Sequence, residues 1–232
     1  MVKIFADTAD PKEMAEMSRN PLVKGFTTNP TLARKAGVIN YGRWAREVCA
    51  AYPDYPVSIE VLADDFDTME VQARKIASWG ENVYVKIPVT NSKGEFSGLL
   101  IRALSRDGVK VNVTAIMTNS QVYEVLAELA PAFNTPAIVS IFAGRIADTG
   151  IDPRLRMETA ASADRQRKHE ILWASPRQVL DVYTADQCGC DIITVSKDIL
   201  AKLALKGKNL AEYSRETVEM FLRDAKASAF EI

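Results

Sequence analysis

Eight short apolar runs, at residues 2–7, 25–29, 57–61, 83–88, 110–114, 137–142, 170–175 and 191–196, restrict what this chain can fold into. Each is long enough for a strand, almost all close on a polar residue, and most are separated by room for a helix. That alternation predicts parallel strands joined by crossover helices, and eight of them predict a closed (β/α)8 TIM barrel, an α/β fold whose chemistry sits where the strands end. Segments 11–19, 41–52, 65–79, 98–106, 120–130, 154–167 and 176–186 supply the expected helices, and 200–205 with 210–227 form a C-terminal helical extension. No Pro/Gly/Ser-rich break divides the chain, so residues 1–232 read as one barrel domain with the mass to bury a core unaided.

Twenty-nine basic residues against thirty acidic ones leave a formal charge of −1, which argues against nucleic acid or an anionic membrane as partner. Any anion must be gripped locally. The cysteines, Cys49, Cys188 and Cys190, are odd in number, and no leader pattern opens the chain. The expectation is a reduced, soluble, cytoplasmic protein. His169 is the single histidine, and with Cys188 and Cys190 it makes no metal-ligand spacing, so neither metal nor cofactor is expected.

Side chains alternate along a strand, so in a barrel one parity faces the helices and the other the axis. Val83, Val85 and Ile87 share the outer face of their run, which leaves Tyr84 and Lys86 inside. The same split directs Asp7, Glu60, Asn112 and Thr114 inward, together with Thr27 and Asn29, and Ser140 and Phe142. A polar cavity of this kind is costly to bury without purpose.

A lysine of ordinary pKa, about 10.4, is neutral in only about one molecule in 2,500 at pH 7, so a nucleophilic lysine needs confinement in an apolar site. Parity alone leaves two readings of Lys86: a Schiff-base nucleophile, or a structural ion pair with Asp7 or Glu60. Under the first, an imine with a ketose is an electron sink, and carbon–carbon cleavage then needs a carboxylate to take a hydroxyl proton. Asp7 is the candidate for that transfer. Glu60 with Thr114 would position water, and Asn29, Asn112 and Ser140 would hold substrate hydroxyls.

The segments FADTAD, GFTTNPTL, VSIEVLADD, VYVKIPVT, VNVTAIMT, SIFAGRIADTG, ASPRQVLD and GCDIITV occur in order from Ile4 to about Leu200. Together they resemble the motif series of the transaldolase family, including its short bacterial members and the fructose-6-phosphate aldolases. The resemblance implies a homo-oligomeric enzyme of carbohydrate metabolism in the pentose phosphate pathway, with Lys86 as Schiff base, Asp7 as acid and base, and Thr28 and Asn29 in the substrate site. Glu60, Asn112, Thr114 and Ser140 match its water-holding and hydroxyl-binding positions. Glu60 and Phe142 stand where the aldolase branch typically carries Gln and Tyr, which implies transfer of a dihydroxyacetone unit between sugar phosphates.

Arg145 and Arg177 match the family's phosphate-binding arginines, and Ser175-Pro176 reads as a helix N-cap and first helical position offering free N–H groups to an anion. The segment ASPRQ is about three residues shorter than the usual ASFRTPRQ, so Arg177 stands either for the arginine two after the serine or for the one at the PRQ helix start. That difference leaves the acceptor open and admits a sulfonated ketose. Free aldol cleavage and a non-catalytic sugar-phosphate-binding barrel are the rival functions.

Overall fold

The computed structural model describes residues 1–132, 134–163 and 169–228. Strands β1 (Lys3–Asp7), β2 (Val23–Thr27), β3 (Val57–Glu60), β4 (Val83–Pro88), β5 (Val111–Ile116), β6 (Ala137–Ile141), β7 (Glu170–Trp173) and β8 (Ile192–Val195) pair in sequence order. All pairs are parallel, and β8 closes the barrel on β1. The helices are α1 (Pro11–Met17), α2 (Pro30–Lys35), α3 (Tyr41–Ala51), α4 (Phe66–Ala77), α5 (Gly98–Arg106), α6 (Asn119–Leu129), α7 (Ala143–Asp148), α8 (Arg154–Ala163), α9 (Leu180–Gln187), α10 (Lys197–Lys202) and α11 (Leu210–Ser228). The fold is the expected (β/α)8 TIM barrel.

Strand parity builds two cores. Outward residues such as Ile59, Val85, Ile87, Val111 and Val113 have 0% exposure and pack against the helices. Inside the barrel, Phe5, Ile138, Leu172 and Ile192 form a second cluster, with Tyr84 and Phe142 against it. Phe5, Tyr84, Ile138 and Ile192 each lie two positions before Asp7, Lys86, Ser140 and Thr194. Alternation therefore stacks an apolar layer beneath a polar one and seals the barrel below the strand ends.

Gly25 makes this plug fit. A Cβ at Gly25 would stand 2.6 Å from Cζ of the Phe5 ring, which is 1% exposed and has nowhere to go. Gly25→Ala is expected to cost about 1–3 kcal/mol of stability through overpacking, measured as a lower urea midpoint. An unchanged midpoint would show that the ring moves aside.

Several boundaries depart from the sequence expectation. The run at 25–29 yields a strand that begins at Val23 and stops at Thr27, because Asn29 leaves the sheet to cap α2, accepting from the Leu32 N–H at 2.9 Å. The six-residue helices α2 and α7 lie outside the helices that the sequence predicts. Ser175 and Pro176 do not start a helix: Ser175 has φ 61° in the left-handed region, and α9 begins only at Leu180. Expected helix 154–167 is α8 as far as Ala163; residues 164–167, like 229–232 of the C-terminal extension, lie outside the described residues. The extension's α11 buries none of its residues.

Candidate active site

Lys86 rises from the middle of β4 into the barrel mouth with its side chain 8% exposed. Its Nζ donates to the Thr28 carbonyl at 2.8 Å and pairs with Glu60 Oε2 at 3.0 Å. The sheet sets this up, because Glu60 and Lys86 are registered neighbours across β3 and β4, and Lys86 and Asn112 across β4 and β5. Tyr41, at the start of α3, braces Glu60 from behind: its hydroxyl donates to the Glu60 carbonyl at 3.0 Å and accepts the Glu60 N–H at 3.2 Å.

Asp7, at the end of β1, receives a hydrogen bond from Thr27 Oγ1 at 2.8 Å, and that hydroxyl also meets Thr194 Oγ1. Although Asp7 opens onto the cavity, it sits deep in the barrel, and loss of solvation pushes its carboxyl above the ordinary carboxylate value. Lys86 and the Thr27 hydroxyl pull in the other direction, and Glu60 adds to the rise. The cluster thus holds two acids against one amine.

Asp7, Thr27, Asn29, Lys86, Thr114, Ser140, Phe142, Leu172, Thr194 and the rim residues Arg145, Ala174 and Ser175 line one cavity of about 120 Å³. That is below the range of about 300–1,000 Å³ typical of pockets for drug-sized ligands, so it has room for only part of such a molecule. Asn29 lines the cavity with its amide oxygen committed to the α2 N-terminus. The Thr114 hydroxyl is buried with no hydrogen-bond partner among the described residues, beside Ala115 at φ 63°, where the β5–β6 register shifts. Such an irregularity at a strand end re-aims a side chain.

The remaining expected residues are placed differently. Asn112 is fully buried behind the cavity, donating to Ser58 Oγ at 3.0 Å and accepting from Ser140 Oγ at 2.7 Å. Thr28 is likewise enclosed: its hydroxyl goes to the Ser58 carbonyl at 2.8 Å, and only its own carbonyl reaches Lys86. At the rim, the Arg145 guanidinium lies 5.2 Å from the centre of the Phe142 ring. Arg177 does not line the cavity, and its fork closes on Asp148, with Nε 3.0 Å from Oδ1. Thr194, Ser58 and Tyr41 are contributors the sequence reading passed over. Alternation from Ile192 placed Thr194 inside, whereas nothing local marks Tyr41.

A lysine and carboxylates gathered at the strand ends of such a barrel are the equipment of an enzyme. A family model described as transaldolase/fructose-6-phosphate aldolase matches residues 4–232. A probable transaldolase of Hyphomonas neptunium is 36% identical over 234 residues, spanning 100% of both chains. Another, of Dehalococcoides mccartyi, is 36% identical over 204 residues, covering 87% of this chain and 90% of its own. More distant solved structures share the fold alone. A 3-hexulose-6-phosphate synthase has TM-score 0.56 at 15% identity, over 84% of this chain and 89% of that one. A dihydrodipicolinate synthase from Rhodopseudomonas palustris has TM-score 0.58 at 14% identity, over 97% and 79%. The chain belongs to the transaldolase/fructose-6-phosphate aldolase family.

Proposed function

We propose that the protein transfers a dihydroxyacetone unit from a ketose phosphate, such as fructose 6-phosphate or sedoheptulose 7-phosphate, to an aldose phosphate through an imine on Lys86. The observation that carries this reading is the Lys86 amine, held at 3.0 Å from Glu60 and beside Asp7 in a closed-bottomed cavity. The neutral amine attacks the ketose carbonyl, and Glu60 with a water on Thr114 carries the protons as water leaves. Asp7 then takes the proton of the hydroxyl on the ketose C4, the departing end of the C3–C4 bond to be broken. That bond's electron pair moves into the iminium, the aldehyde departs, and a three-carbon enamine stays on Lys86. An acceptor aldehyde reverses these steps, Asp7 returns the proton to the new hydroxyl, and water releases the longer ketose.

Asn29 and Ser140 are suited to the retained hydroxyls, with Asn112 fixing Ser140 from behind. Arg145 and Ser175 at the rim are suited to the terminal anion. Glu60 and Phe142, read with the family resemblance, favour transfer over release of free dihydroxyacetone. Assembly into a homo-oligomer is supported by α11, which exposes Leu210, Val218 and Phe221 at 81%, 62% and 61%. Among the described residues no helix is long and apolar enough to cross a membrane.

The test is a coupled assay with fructose 6-phosphate, with and without erythrose 4-phosphate, paired with borohydride reduction and peptide mass analysis. Transfer predicts turnover that depends on the acceptor and reductive trapping of sugar on the Lys86 peptide. Full-rate cleavage without acceptor would make the enzyme an aldolase. No adduct with any ketose would leave a binding protein.

A further inference from the structure

We propose that Asp148 is a specificity-setting positioning residue that competes with the substrate's terminal anion for Arg177. This rests on the reading above, in which that anion meets Arg145 at the rim. Arg177 lies two positions beyond the cavity residue Ser175 and spans back across Gly144, the neighbour of Arg145. A Cβ at Gly144 would stand 1.5 Å from the Ser175 carbonyl oxygen and 3.4 Å from Arg177 Nε. The bare backbone at Gly144 therefore lets both cross, and brings the Arg177 guanidinium, which lies outside the cavity, next to the neighbour of Arg145, the one arginine that lines the cavity among the described residues.

That guanidinium is engaged. Both oxygens of Asp148, at the end of α7, face its fork, and the Arg177 N–H donates to Asp181 Oδ2 at 2.6 Å, which fixes the loop while the side chain remains free to turn. A planar fork matches a carboxylate and a phosphate equally well and serves one at a time. Asp148 is thus a built-in rival of the ligand. Its hold is modest, because the two side chains are 51% and 49% exposed, and solvent screens such pairs. A terminal group carrying close to two negative charges, as a phosphate monoester does at neutral pH, gains enough from a second guanidinium to draw Arg177 away. Uncharged donors leave it on Asp148.

The experiment is steady-state kinetics with fructose 6-phosphate and fructose as donors and one common acceptor, for the wild type and Asp148→Asn, Asp148→Glu, Arg145→Ala and Asp148→Asn/Arg177→Ala variants. Asp148→Asn is expected to lower KM for the phosphorylated donor about fivefold with kcat within about twofold, raising its preference over fructose by the same factor. Asp148→Glu, which restores the fork, keeps the wild-type preference, and Arg177→Ala in the Asn background removes the gain. A wild-type preference in Asp148→Asn, or a gain that survives loss of Arg177, would overturn the proposal. Arg145→Ala separates the two levels: a strong rise in KM for the phosphorylated donor with Asp148→Asn silent rejects Asp148 alone, and silence of both rejects the anion site itself.

Discussion

Arginine in place of Lys86 is expected to reduce turnover by at least about four orders of magnitude, the scale at which loss of a covalent nucleophile is felt. The substitution keeps a cation between Asp7 and Glu60, so an ion pair of purely structural value would survive it. A guanidinium does not give up its proton in a protein and forms no imine. Lys86→Met asks a different question. It removes the one cation near two acids, of which Glu60 is 17% exposed at its side chain and Asp7 is already pushed toward its neutral form by burial. Breaking a buried pair from one side costs about 3–5 kcal/mol, so the methionine variant is expected to lose stability along with activity. Arginine is therefore the cleaner probe, with denaturant midpoints as the control for folding. Substantial turnover in Lys86→Arg would return this lysine to a structural role and remove the imine from the mechanism.

The parts of this architecture written locally in the chain are those that follow strand alternation. Asp7, Lys86, Thr114 and Ser140 line the cavity because each stands on the inner parity of a strand whose outer residues are apolar, and eight such strands have to close. The same alternation carries Thr194 inward from Ile192, one residue before β8 stops at Val195. The short helices are harder to see. Six residues of α2 or α7 complete fewer than two turns, too little for a helical period to show, although Asn29-Pro30 carried a legible start signal.

Ser175-Pro176 carried a start signal too, yet there the tertiary fit prevailed. The Gly144 N–H approaches the Ala174 carbonyl at 3.3 Å and the Ser175 carbonyl crosses Gly144, which holds Ser175 at positive φ and delays the helix. Arg177 and Asp148, or Phe5 and Gly25, meet between neighbouring strand units with no local periodicity to connect them. Complementarity of this kind becomes visible only once the strands are in register.

Asp7→Asn is expected to lower kcat by about 10²–10⁴, the contribution of a positioned general acid and base, and to make the folded protein more stable at neutral pH. Both effects have one origin. Burial raises the Asp7 carboxyl above its ordinary value, so the folded protein binds this proton more tightly than the unfolded chain. The associated stability is fully present below the unfolded value and is lost as pH rises through the folded one. Asparagine keeps the oxygen that accepts from Thr27 at 2.8 Å and removes one of two acids, leaving Lys86 and Glu60 as a balanced pair. The variant should melt above the wild type at pH 8, with the difference shrinking as pH falls toward the ordinary carboxylate range. Imine formation does not require this carboxylate to accept the sugar's proton, so borohydride should still trap ketose on Lys86 while cleavage stalls. A variant that cleaves within about tenfold of the wild type would assign the proton transfer to another group. One that melts lower across the whole pH range would show that the carboxylate stabilises the barrel mouth more than its burial costs.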